Sequence, residues 1–314
     1  MSEFRFSLNL FGISLKDGDV FKEKCREAER QGFDAVYAPD HLGEVAPFPA
    51  LVAAAAATER LRVGTLVLNS AFWNPHLLAR EVATTDLLTG GRLEVGIGAG
   101  YSKWEFDEAS IGFEPFGKRV DRLTETLTVM EKLFGGEGYE ARRPLRENMG
   151  LPDIAPVQRQ GFGGYGPPLL VGGTGDRMMR LAAEHADIVG ITGLFQVKGR
   201  PPGTLQIGTA ADADDRVRFV REHAGDRVDR IEWNILVAAV VVTGDRRAGA
   251  EQVKAQFGLD LSVDDILETP FVLIGTVDQI AENVRANRER FGFTHLTVNG
   301  LFSDSFVPVI EALR

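Results

Sequence analysis

Two residues in this chain pair types that could move a proton. Asp40 and His41 directly follow a short β-rich run, Asp34-Ala-Val-Tyr-Ala38. An imidazole titrates near neutrality, and an adjacent carboxylate raises its basicity, so the pair reads as a candidate general acid/base. The plain alternative is a loop pair solvating a rim. The other four histidines suit structural places better. His185 and His223 fall near expected helix C-termini, where the partial negative charge favours them. His76 sits in a helix start and His295 at the beginning of a strand.

Two glycine-rich strand ends add binding chemistry. The run Arg92–Gly100 carries glycines at 96, 98 and 100, where a flat ligand could lie against bare backbone. It is no dinucleotide fingerprint, because Tyr101 stands where the third glycine of G-x-G-x-x-G belongs. Gly172, Gly173, Thr174 and Gly175, followed by Asp176, Arg177 and a helix, could form an anion cup of free N–H groups. An ordinary tight strand-to-helix turn would read the same. No His/Cys/carboxylate group has metal-ligand spacing, and neither a G-x-S-x-G elbow nor a Walker loop occurs. A site without these devices borrows its chemistry from an organic cofactor.

The elements that must position these residues repeat. Leu61–Asn69, a helix-like run from Pro75 to Leu88, and Arg92–Gly100 make one strand–helix–strand unit, long enough for a right-handed parallel crossover. Strands are expected at 4–11, 34–38, 61–69, 92–100, 169–171, 187–192, 231–243 and 294–298. Helices alternate with them: Asp19, as cap, to Gln31; Pro49–Ala57; Gly117–Phe134; a helix ending at His185; Asp214–His223; one headed by the capping pair Thr276 and Gln279; and Ser303–Leu313. Such alternation permits an open doubly wound sheet or a closed barrel. Eight repeats without a reversal, with polar or glycine residues at nearly every strand's C-terminal end, favour the closed (β/α)8 TIM barrel over residues 1–314. Aperiodic segments at 135–168 and 193–211 are expected as insertions after strands 4 and 6.

The 314 residues are 44% hydrophobic, enough for a large core, and the net charge of −10 opposes nucleic-acid or anionic-membrane binding. The lone Cys25 precludes an internal disulfide and is expected on the inner face of the first helix with Val20, Phe21 and Ala28. No signal-peptide pattern and no run of about 18 apolar residues occurs, so a cytoplasmic protein is expected.

The wording of several stretches resembles the bacterial luciferase-like superfamily. They are Ala28 to His41, Leu61 to Thr65, Asn74-Pro75, Leu78 to Glu81, Asp86 to Arg92, Gly96 to Gly100, Pro168 to Gly190 and Ile274 to Gln279. The detail is most similar to its deazaflavin-dependent branch. The resemblance implies a barrel binding coenzyme F420, or FMN in sister groups, at the C-terminal mouth. It implies a non-prolyl cis peptide at Leu66–Val67 backing the central ring, with Asn69 at the ring edge and Gly98, Ala99 and Gly100 beside it. Gly172 to Gly175, and Gly190 to Thr192, correspond to segments around the cofactor's tail and phosphate. Asp40 and His41 match the pair at the hydride-transfer site of sugar-phosphate dehydrogenases of that branch. Those enzymes place a Glu directly after the Gly-x-Gly, where this chain has Tyr101.

The resulting expectation is an F420-dependent oxidoreductase moving a hydride between the deazaflavin C5 and a small organic substrate. His41 would handle the proton, Asp40 would assist it, and Trp73, Tyr101 and Trp104 would shape the substrate pocket. An FMN-dependent monooxygenase using O₂ is the second reading, and a non-catalytic cofactor-binding protein the third. A homodimer is expected, since relatives commonly pair through barrel helices.

Overall fold

The computed structural model describes residues 3–12, 17–136, 147–150, 155–197, 199–201 and 204–314. Its frame is a closed ring of parallel strands. β1 (Arg5–Asn9) lies between β2 (Ala35–Ala38) and β13 (His295–Asn299). The ring continues through β3 (Arg62–Thr65), its continuation β4 (Leu68–Asn69), β5 (Leu93–Gly98), β6 (Leu169–Gly173), β7 (Ile188–Ile191) and β10 (Glu232–Val237), back to β13. The third strand is interrupted: β3 and β4 both pair with β5, on either side of Leu66–Val67. Counting it once gives the eight-stranded barrel expected from the repeats.

Helices cover the outside. They are α1 (Gly18–Arg30), α2 (Pro47–Ala57), α3 (Pro75–Leu88), α4 (Lys103–Glu108), α5 (Phe116–Phe134), α6 (Asp176–His185), α7 (Ala210–Ala224), α8 (Arg246–Phe257), α9 (Val263–Glu268), α10 (Val277–Phe291) and α11 (Ser303–Leu313). Their inward stripes bury Phe21, Cys25 and Ala28 from α1, Leu78 and Val82 from α3, and Leu123, Leu127 and Met130 from α5. Each fully buried Leu, Val or Phe contributes about 1.5–3 kcal/mol. Val20 points outward, contrary to expectation, because it lies one position off the Phe21–Cys25–Ala28 stripe. The cap of α1 is Asp17, whose carboxylate accepts from Asp19 N–H. The Thr276–Gln279 capping box forms as read.

Two segments differ from expectation. Within 193–211 the chain makes an antiparallel hairpin, β8 (Leu194–Gln196) with β9 (Leu205–Ile207). The run 231–243 divides at Ala238, whose N–H donates to Phe271 O, and β11 (Ala239–Val242) pairs outside the ring with β12 (Val272–Gly275). The far end of the first aperiodic segment is pinned. Buried Asp86 of α3 accepts from Val157 N, Gln158 N and the Gln158 amide. Residues 137–146 and 151–154 of that segment lie outside the described residues. Among the described residues no helix is long and apolar enough to cross a membrane.

The barrel's N-terminal end is closed by charge. Glu94, fully buried on β5, takes Arg5 of β1, Arg62 of β3 and the Tyr37 hydroxyl of β2. Arg5 also meets Glu232, which lies 2.9 Å from His295 Nδ1. His295 Nε2 meets Ser7 Oγ at 2.5 Å, so this histidine holds the structural place its strand-start position implied.

Candidate active site

Ladder bonds fail where β3 becomes β4, and side chains replace them. The Leu66–Val67 peptide is cis, at the bond the resemblance named. Just before it, Thr65 Oγ1 accepts from Gly96 N at 2.9 Å and donates to Gly96 O at 2.7 Å. One hydroxyl thus satisfies both backbone groups of Gly96. The glycines opposite admit this distortion. A Cβ on Gly96 would lie 2.0 Å from Thr65 O, one on Gly98 2.8 Å from Val67 Cγ2, and one on Gly100 2.4 Å from Asn69 Oδ1. The bare strand end expected to face a ligand is therefore filled by the bulge and by Asn69. Gly96→Ala meets backbone, which cannot rotate away, whereas Gly98→Ala meets a side chain. Gly96→Ala is expected to cost about 1–3 kcal/mol in a urea melt, more than Gly98→Ala.

The Asp40–His41 pair sits beside this bulge at the strands' C-terminal end, and its two side chains go to different partners. Asp40 Oδ2 accepts from Asn69 N at 3.0 Å and from Trp73 Nε1 at 2.9 Å. Burial pushes its carboxyl above the ordinary range, against those two hydrogen bonds. Trp73 is consequently a buttress: its indole is tied to Asp40 and its ring packs edge-on against Phe48, 5.3 Å between centroids. His41 turns instead to Glu105 of α4, with Nδ1 at 3.0 and 3.1 Å from its two oxygens. Phe11 and Tyr101 flank the imidazole edge-on, with centroids 6.0 and 5.9 Å away. Tyr101 and Trp104 are exposed.

Sequence reasoning missed Glu105. It sought an acid at position 101, next to the glycines, but the acid comes one helical turn later. A signal was available: Glu105 shares the inner face of α4 with Phe106, an odd place for a carboxylate lacking a partner.

The second cluster lies on β6 and β7. Gly172 and Gly190 are register partners, and Thr192 Cγ2 would be 3.3 Å from a Cβ on Gly172. The Gly172–Gly175 turn leads into α6, whose N-cap Gly175 provides no side-chain cap bond. An uncapped helix start of this kind receives anions. Thr174 Oγ1 donates to Leu194 O at 3.0 Å, which fastens the β8–β9 hairpin beside the turn. Among the described residues no group of His, Cys, Asp and Glu could hold a metal ion.

The sequence profile described as luciferase-like monooxygenase matches residues 16–258. The chain belongs to the luciferase-like monooxygenase family. This luciferase-like protein is 29% identical over 301 residues to the F420-dependent glucose-6-phosphate dehydrogenase of Beutenbergia cavernae, covering 86% of this chain and 83% of that one. Its fold is similar to an F420-dependent secondary alcohol dehydrogenase solved with an F420–acetone adduct, with TM-score 0.70, 17% identity and all of both chains covered. It is equally similar to the oxygenating constituent of 3,6-diketocamphane monooxygenase from the CAM plasmid of Pseudomonas putida, in complex with FMN. There the TM-score is 0.70 and the identity 18%, over 99% of this chain and 96% of that one. At such identities the two structures speak for the barrel alone. The luciferase-like chain is an oxidoreductase of this family.

Proposed function

We propose that this luciferase-like enzyme is an F420-dependent oxidoreductase acting on a small, uncharged organic substrate. The observation that carries the reading is His41. Its Nδ1 is engaged by Glu105, and its Nε2 takes no partner among the described residues, beside the bulged third strand. The donor set suits a planar tricyclic molecule with an anionic tail. Val67 and Asn69, backed by Gly98, Ala99 and Gly100, would hold one face of the ring system. Gly172, Gly173, Thr174 and Gly175, with Gly190 and Thr192, would hold the tail at the open start of α6. When bound, the deazaflavin supplies hydride chemistry at C5.

The chain's own residues do the rest. His41 Nε2 holds the proton that leaves or joins the substrate oxygen as hydride moves. Tyr101 and Phe11 present exposed apolar surface around it, which favours an uncharged substrate over a sugar phosphate.

An FMN-dependent monooxygenase is the second reading, favoured by the family description, luciferase-like monooxygenase. Titrating the purified protein with each cofactor, followed by visible absorbance, separates the two. Saturable binding of F420 in preference to FMN is expected, without O₂ consumption. Binding of FMN alone, with O₂ uptake once it is reduced, would replace the first reading by the second.

A further inference from the structure

We infer that Glu105 is the positioning residue of this site: it sets which imidazole nitrogen of His41 carries the proton. The inference rests on the reading of His41 as the proton-transfer group.

Glu105 is 2% exposed, yet it makes no ion pair with Lys or Arg among the described residues. Its carboxylate is spent on one short stretch of chain. Oε1 accepts Leu42 N–H at 2.9 Å, and both oxygens lie within 3.1 Å of His41 Nδ1. Leu42 N–H is a fixed donor, so it locks the carboxylate in place relative to the backbone that carries the imidazole. A carboxylate can only accept, so the proton of a neutral ring must sit on Nδ1 and the lone pair on Nε2. Asp40 does not do this: His41 Nδ1 is turned to Glu105, and Asp40 Oδ2 accepts from Asn69 and Trp73 instead. Phe11 and Tyr101 close on the ring from the sides, and neither directs a hydrogen bond to it. Glu105 therefore provides, from the first turn of α4, the acid that is missing at position 101.

A group that merely ties α4 to the strand end would be replaceable by any acceptor for Leu42 N–H. Glu105→Gln tests the difference. Its amide oxygen keeps the bond to Leu42, while its NH₂ faces Nδ1 as a donor and draws the ring proton to Nε2. Nitrogen NMR of histidine-labelled protein, with the His41 signal assigned by its loss in His41→Asn, reads the tautomer without any cofactor. The Nδ1–H form is expected in the parent chain and a shift toward Nε2–H in Glu105→Gln. Turnover is expected to fall about 10²- to 10⁴-fold, as for a wrongly set tautomer, with cofactor affinity unchanged. Glu105→Asp, which keeps an acceptor-only group, is expected to retain the Nδ1–H signal. An unmoved His41 signal in Glu105→Gln, with turnover lost in His41→Asn, overturns the role given to Glu105 alone. Full turnover in His41→Asn overturns the reading of the site, and this inference with it.

Discussion

Replacing His41 with asparagine is expected to lower kcat by about 10²- to 10⁴-fold, the usual worth of a positioned acid or base. That loss is about 3–5 kcal/mol of barrier. Asparagine is chosen because its NH₂ can still donate to Glu105, now held 3.0 Å from the imidazole. The α4 contact and the fold then survive, and what disappears is a group that can both take and return a proton. Cofactor affinity is expected to stay within a few-fold, because His41 belongs to neither the bulge nor the Gly172–Gly175 turn. Single-turnover rates with cofactor bound, together with a separate binding titration, check both halves. A kcat equal to that of the parent chain would show that proton transfer proceeds elsewhere.

The largest expected loss of stability lies at the opposite end of the barrel. Glu94→Ala removes the acceptor shared by Arg5, Arg62 and Tyr37, and leaves two guanidinium groups facing each other near a buried tyrosine. Breaking a buried pair in this way costs about 3–5 kcal/mol. An exposed pair such as Arg247–Asp264 contributes at most about 1 kcal/mol by comparison. Burial pushes the Glu94 carboxyl up, but Arg5 and Arg62 outweigh burial and hold it below the ordinary range. Glu232 is likewise lowered, to about 2: burial opposes the shift, and His295 and Arg5 impose it. For carboxyls depressed on folding, the stabilisation is complete above the unfolded value of about 4.3 and is lost as pH falls through the folded value. The parent chain is therefore expected to lose stability steeply between about pH 4.3 and about 2, and Glu94→Ala less steeply. Urea melts at several pH values measure this. Turnover below the melting point is expected to persist, since the network lies away from the mouth.

The barrel was legible because its strands are separated by helices with clear periodicity and caps. The Thr276–Gln279 box and the α5 stripe each left a local mark. The β8–β9 hairpin left none: three-residue strands are too short to show alternation, and the bonds that hold its base come from Thr174, Gly208 and Thr269, which carry no pattern. The break at Ala238 was hidden for the opposite reason. The residues on either side of it, Ile235 to Val242, are all apolar, one half in the ring and the other against β12, so no change of pattern marks the break. At the site, His41 could be found from its place after a strand. Glu105 left only the mark of a carboxylate on an inner helix face; its partner lies 64 residues away, and only folding brings them together. The glycines of β5 were seen, but not the bulged strand that they make room for. They record the shape of the neighbouring strand, which no reading of β5 alone contains.

The division of labour between two consecutive residues has a consequence for how such a chain can diversify. Asp40 braces the end of the third strand, and its neighbour in sequence faces α4, the third α-helix further along the chain. Adding a residue before the pair would set a carboxylate against Glu105, and deleting one would put a ring where the brace belongs. The connection leaving the second strand is thus held to one length, while the rim tolerates a hairpin after β7. Variation in loop size around the mouth should skip this corner, and grafts that alter specificity belong elsewhere on the circumference.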